Sequence, residues 1–261
     1  MHMNKMRTIN LFFPAFLMGI LLLFQGVSQA QENPTAKEII DKANQLMRGN
    51  SSYAEMTMKI IRPKWERTLS FKAWSKGTEY SMIYITEPVK EKGQVFLKRD
   101  KEMWNWVPSI ERMIKIPPSM MMQSWMGSDM TNDDLVKESS IVEDYSHSLV
   151  GNETIEGYDC YKIELTPHED APVVWGKIVS WISKEEYFTL KNEYYDEDGY
   201  LVNRETLSKI RNAGDRVIPT HFEITPVEKE GQKTTMEFTR VEFNVPIRDD
   251  FFSIQNMRRV R

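Results

Sequence analysis

The chain has 261 residues, 41% of them hydrophobic and 11% aromatic, with a formal net charge of −4. That is the composition of a folded chain rather than a disordered one, at a length that holds one large or two small domains. A single cysteine excludes an internal disulfide framework, and acids (38) in excess of Lys plus Arg (34) argue against a nucleic-acid binder.

Lys5 and Arg7 precede an apolar run from Leu11 to Phe24, interrupted by Pro14 and Gly19, and Ser28-Gln29-Ala30 then offers small residues for cleavage. This spacing predicts a cleaved secretory signal peptide over 1–30, with one domain over 31–261. The apolar run is short of the roughly 20 residues that span a bilayer. The alternative is an uncleaved anchor. The mature chain is expected outside the cytoplasm, with Cys160 as a lone thiol buried in a strand.

Pro34 to Arg48 places Ile39, Ile40, Ala43, Leu46 and Met47 on one face of an amphipathic helix, which Gly49-Asn50 ends. From Ser51 the period changes to two. Met56, Met58 and Ile60 alternate with polar residues, as do Trp65, Arg67, Leu69, Phe71 and Ala73, then Tyr80, Met82 and Tyr84. Shorter strands follow at 93–99, 102–107 and 111–116. Pro117-Pro118 breaks the meander. Residues 119–138 look helical, with an Asp/Asn-rich joint at 127–134 whose Thr131 or Asn132 suits a helix cap. Strands resume over 140–150, 158–166, 175–183, 188–195, 200–211, 217–225 and 234–244, with turns at Asp196–Gly199 and Asn212–Asp215. The expected fold is mainly β (α+β): an incomplete antiparallel barrel, or strongly curved sheet, with an N-terminal helix and an inserted helical lid.

Residues for chemistry are sparse. His147, His168 and His221 lack zinc-motif spacing, and Cys160 has no partner cysteine. There is no phosphate-cradling glycine loop, and Gly127-Ser128-Asp129 lacks the second glycine of a nucleophile elbow. Asp129, Asp133 and Asp134 lack calcium-loop spacing, and capping is the simpler role for this joint. The expectation is no enzyme, no catalytic residue, no cofactor and no metal.

The apolar residues are more informative. Seven of the 17 methionines fall between Met103 and Met130. Trp104 and Trp106 share one face of a strand, and Met120, Met121, Met122, Trp125 and Met126 lie within eight residues. One reading is a buried core helix. The other is a pliable lid over the hollow of a curved sheet, since unbranched methionine adapts to ligands of variable shape.

Trp125-Met126-Gly127-Ser128-Asp129-Met130-Thr131-Asn132-Asp133-Asp134-Leu135 resembles the "F/W-M-G-S/T-D-F-(S/T)-x-x-D-L" segment of the LolA-like outer-membrane lipoprotein-sorting family. Trp104-Asn105-Trp106-Val107-Pro108, Arg112-Met113-Ile114 and the run from Gly151 to Tyr161 resemble further strands of that family. Tyr195 to Gly199 and Ile218-Pro219-Thr220 fit it in order. The resemblance implies a half-open barrel with helices over its concave face, in the periplasm of a Gram-negative bacterium. It implies a monomeric carrier of acylated lipoproteins or a related lipid, moving cargo from an inner-membrane transporter to an outer-membrane acceptor. The expected apolar site is Trp65, Phe71, Trp104, Trp106, Met120, Met121, Met122, Trp125 and Met126, with Arg67 as its polar candidate. The alternative is an envelope sensor or interaction module on the same fold, and the Arg258–Arg261 tail reads as frayed.

Overall fold

Thr35 starts the first described helix, α1 (Ala36–Arg48), with a capping box. Its hydroxyl accepts from the Glu38 backbone N–H, and the Glu38 carboxylate accepts from the Thr35 N–H. Gly49 ends it at φ 63°, a conformation that favours glycine. The computed structural model describes residues 33–100, 102–136, 140–169, 171 and 173–261, so the expected leader lies outside the described residues. All described elements belong to a unit spanning Pro34–Arg261. No described helix is long and apolar enough to cross a membrane.

Thirteen antiparallel strands follow: β1 (Ser51–Arg62), β2 (Trp65–Lys76), β3 (Tyr80–Glu87), β4 (Val95–Arg99), β5 (Glu102–Val107), β6 (Arg112–Ile116), β7 (Tyr145–Ile155), β8 (Tyr158–Pro167), β9 (Lys177–Ser183), β10 (Thr189–Tyr195), β11 (Leu201–Ala213), β12 (Arg216–Pro226) and β13 (Lys233–Phe243). Their order in one sheet is β6-β5-β4-β3-β2-β1-β13-β12-β11-β10-β9-β8-β7. The chain walks from β1 out to one edge at β6. It then jumps to the other edge at β7 and walks back until β13 pairs with β1. The stretch between β6 and β7 must therefore cross from one edge to the other. Register shifts at Glu55/Met56, Ser70/Phe71, Thr189/Lys191 and Tyr194/Tyr195 are bulges, which bend strands and support the curvature.

The sheet carries core on both faces. Met58 and Ile60, Leu69 and Phe71, Ile83 and Ile85, Phe96 and Met103 cluster on the inner face. Met82, Tyr84, Val95 and Leu97 alternate with them and turn outward, where Phe252, Met257 and Val260 cover them. Continuous apolar runs in β3 and β4 follow from this two-sided burial. The C-terminal segment is thus a packed strap rather than a frayed tail, and the Arg258 guanidinium lies 5.0 Å from the Trp106 ring centre.

The crossing stretch, expected to look helical over 119–138 with a joint at 127–134, holds less helix before that joint than its pattern suggests. It is built of single helical turns at Pro118–Met120 and Trp125–Gly127, followed by α2 (Asn132–Val136) and α3 (Ser140–Glu143). The reason is local. Met126 and Gly127 take positive φ, the Ser124 and Ser128 hydroxyls bond to nearby carbonyls, and Ser124 pairs with Thr131. These side chains give the backbone an alternative to the helical ladder. The strand expected from Ser140 begins only at Tyr145.

Candidate functional site

The hollow between the curved sheet, α1 and the crossing stretch is a cavity of about 460 Å³. Ile40, Ala43 and Met47 of α1 border it, and Phe71, Phe222, Met236 and Phe238 belong to its sheet wall. Trp125, Asp129 and Met130 line it from the crossing stretch. The volume falls within the range of about 300–1,000 Å³ typical of small-molecule sites.

The covering stretch is pinned to the sheet by polar contacts. The Arg62 guanidinium donates to both Asp129 carboxylate oxygens at 3.0 and 3.1 Å, and to the Gly127 carbonyl at 3.0 Å. The Thr234 hydroxyl donates to Asp129 at 2.7 Å. Arg67 donates to the Met126 carbonyl and to Glu91, both at 3.1 Å. The Thr131 hydroxyl accepts from the Asp134 N–H at 3.1 Å and the Asp134 carboxylate accepts from the Thr131 N–H at 2.7 Å, so the expected cap is present at Thr131.

Of the apolar residues read from the sequence, Phe71 and Trp125 reach the cavity. Trp125 is 1% exposed and packs edge-on against Phe71 and Phe96, at centroid distances of 5.8 and 5.5 Å. Met121 and Met126 pack on the same inner core without lining the cavity. Met120 is half-buried, and Met122 is 56% exposed. Trp65 is exposed at the start of β2, 5.8 Å from the Arg62 guanidinium. Trp104 and Trp106 alternate with inward-facing Met103 and so point to the outer face, against the C-terminal strap. Arg67 holds the rim of the covering stretch rather than the cavity wall.

Sequence reasoning missed Arg62 and the polar part of the wall. Ser180, Asn192, Tyr194 and Glu205 line the cavity in a hydrogen-bonded group. Ser180 between Ile178 and Ile182 on one face of β9 was a visible signal. Burial pushes the Tyr194 phenol well above its ordinary value, aided by the Glu205 and Asp134 carboxylates, so it remains a donor. Burial and neighbouring carboxylates raise Tyr145 likewise. Burial also raises the Asp134 carboxyl, against the two Thr131 hydrogen bonds that lower it. Cys160 is fully buried on the outer side, and burial raises its thiol. Among the described residues no group of three His, Cys, Asp or Glu stands in metal-holding geometry.

A family model described as "-like: Uncharacterized protein" matches residues 77–259. Three solved structures share the architecture. A DUF1329 family protein from Desulfovibrio piger is 26% identical with a TM-score of 0.76, over 86% of this chain and 100% of that one. A LolA superfamily protein from Nitrosomonas europaea is 24% identical with a TM-score of 0.72, over 85% and 99%. The chain belongs to the matched family and has the LolA-like fold. An outer membrane lipoprotein-sorting protein domain from Vibrio parahaemolyticus shares that LolA-like fold at 20% identity and a TM-score of 0.75, over 85% and 98%. No curated protein matches. The open 13-stranded sheet with its N-terminal helix agrees with the half-open barrel expected from the residue 125–135 motif.

Proposed function

We propose that this protein is a periplasmic, non-enzymatic carrier that binds the acyl chain of a lipoprotein or related lipid in the concave cavity. The observation that carries this reading is the cavity itself: a mainly apolar hollow inside an open sheet, bordered by a separate stretch of chain. An acyl chain is long and uniform, and its binding needs apolar area, at about 25 cal/mol per Å² buried, more than directed polar contacts. Phe71, Trp125 and Met130 supply that area, and Met121 and Met126 back the covering stretch.

A carrier must release what it binds, so its affinity is limited by whatever closing the site costs. Here the ion pair and hydrogen bonds at Arg62, Arg67 and Asp129 must separate for the stretch to lift, which sets that cost. Delivery fits a monomer exported by the 1–30 leader, loaded by an inner-membrane transporter and unloaded on an outer-membrane acceptor.

The test is native mass spectrometry of protein released gently from periplasm. The expected result is a lipid adduct that leaves on activation. A lipid-free protein that also takes up no fluorescent fatty acid overturns the reading, and a stable protein partner with an empty cavity favours the sensor instead.

A further inference from the structure

The cavity lining is charged at both ends, and the two ends differ in sign. On the inner face of the first four strands, Ser52 of β1 pairs with Ser75 of β2, Ser75 with Ser81 of β3, and Ser81 with Lys98 of β4. All four line the cavity, so three hydroxyls and an ammonium form one row. The Ser52 and Ser75 hydroxyls lie 2.7 Å apart. Arg48, in the last turn of α1, lines the cavity at the same end.

The acids of the lining lie at the other end. Glu205 is in register with Ile224, Ile224 with Thr234, and Thr234 with Ile60. Their row therefore meets β1 at Ile60 rather than Ser52, about 26 Å further along the strand. The Thr234 hydroxyl holds Asp129 at that level. Asp133 and Asp134 lie close enough to raise the Tyr145 phenol, and Asp134 that of Tyr194, which bonds Glu205. Lys98, Asp133 and Glu205 have interactions of their own and enter here only as charges.

Arg48 gives this polarity a use. It is half-buried, and its Nε has no hydrogen-bond partner among the described residues. Its own helix does not use it as a cap, since Arg216 donates to the Leu46 carbonyl at 3.1 Å and the Gly49 N–H bonds to Gln45. Glu79 feels its charge, but that carboxylate is exposed, lies outside the lining and accepts from Thr78. A guanidinium beside a mainly apolar hollow carries a desolvation cost that an apolar side chain avoids. An anion with two acceptor oxygens offsets that cost, because the arginine fork takes it with two parallel hydrogen bonds.

We infer that the carried lipid has an anionic head, a carboxylate or a phosphate, seated at the Arg48 end of the cavity beside the Ser52–Ser75–Ser81 row, with its chain running toward Trp125. The acids at the far end repel such a head, so the charges set the direction in which the lipid lies. An ammonium head is repelled by Arg48, and an uncharged head leaves the guanidinium without a charged acceptor. This inference rests on the carrier reading and names the class of lipid carried.

The test is competition against bound N-phenylnaphthylamine, an uncharged fluorescent probe, by laurate, lauryl phosphate and lauryl alcohol at pH 7. The three share one chain and differ in the head. Wild-type protein is expected to prefer at least one of the anions to the alcohol by about tenfold, the scale of a hydrogen bond to a charged group, and the stronger anion identifies the head. Arg48→Gln is expected to bring the anions to parity with the alcohol while leaving the alcohol's own affinity unchanged, with a thermal melt reporting that the variant folds. Arg48→Lys keeps the charge and is expected to keep part of the preference. Ser81→Ala, the smallest change, is expected to narrow it. An alcohol that competes as well as both anions in the wild type, or a preference that survives in folded Arg48→Gln, overturns the inference and leaves the carrier reading standing. Binding of none of the three, nor of the probe, overturns both.

Discussion

Asp134 shows how one residue ties the covering stretch to pH. It is held by Thr131 at the start of α2 and lies near the buried Tyr145 and the partly buried Tyr194. Burial raises its folded pKa above the ordinary 3.8, so the folded state holds its proton more tightly than the unfolded chain. Its contribution to stability is thus present below the unfolded pKa and lost as pH rises through the folded one. At pH 7 the ionised group costs stability. Asp134→Asn keeps an acceptor for the Thr131 N–H and removes the charge. We expect a higher urea midpoint than wild type at pH 7, with the gain shrinking as pH falls toward 4. A lower midpoint at pH 7 contradicts the burial argument. The sequence made the cap legible, because Thr131 and Asp134 stand at capping-box spacing. It gave no hint of the burial, because the neighbours Tyr145, Trp175 and Tyr194 are brought to Asp134 only by the tertiary fold.

At the scale of elements, the helix and hairpins were readable because their patterns are local. The face made by Ile39, Ile40 and Ala43 and the alternation in β2 needed no tertiary context. The crossing stretch was not readable in this way. Its methionines suggested a helix, yet Gly127 and the serine and aspartate side chains hold it in turns. Trp104 and Trp106 were misassigned to the cavity because period two separates two faces without saying which is inner. The C-terminal strap decides that, and it lies about 150 residues away in sequence. What holds the crossing stretch down is the Arg62–Asp129 pair, whose side chains are 13% and 5% exposed. Asp129→Ala leaves a buried guanidinium unpaired, at a cost of about 3–5 kcal/mol. We expect faster hydrogen exchange in residues 120–134, with protection retained in β1 and β2. Unchanged exchange in that stretch shows that the pair does not hold it.

At the scale of the whole molecule, topology makes the site. Two meanders join at β1 and β13, so the segment linking their outer edges must span the open side of the sheet. The cavity under that segment joins residues distant in sequence, such as Phe71, Trp125 and Phe222. The strands were legible one by one, but their pairing, and with it the polar row on β9–β11, follows from register. The excess of methionine has also found its place. Met103, Met121 and Met126 belong to the inner core, Met130 lines the cavity, and Met113 lies on the outer face. The central claim is that an acyl chain enters beside Trp125. It is tested most directly by titrating the protein with a brominated fatty acid, whose bromine quenches tryptophan fluorescence on contact. We expect saturable quenching that falls sharply in Trp125→Phe and persists in Trp104→Phe, whose indole faces the outer strap. Quenching that fails to saturate, or that depends on Trp104 rather than Trp125, contradicts the account.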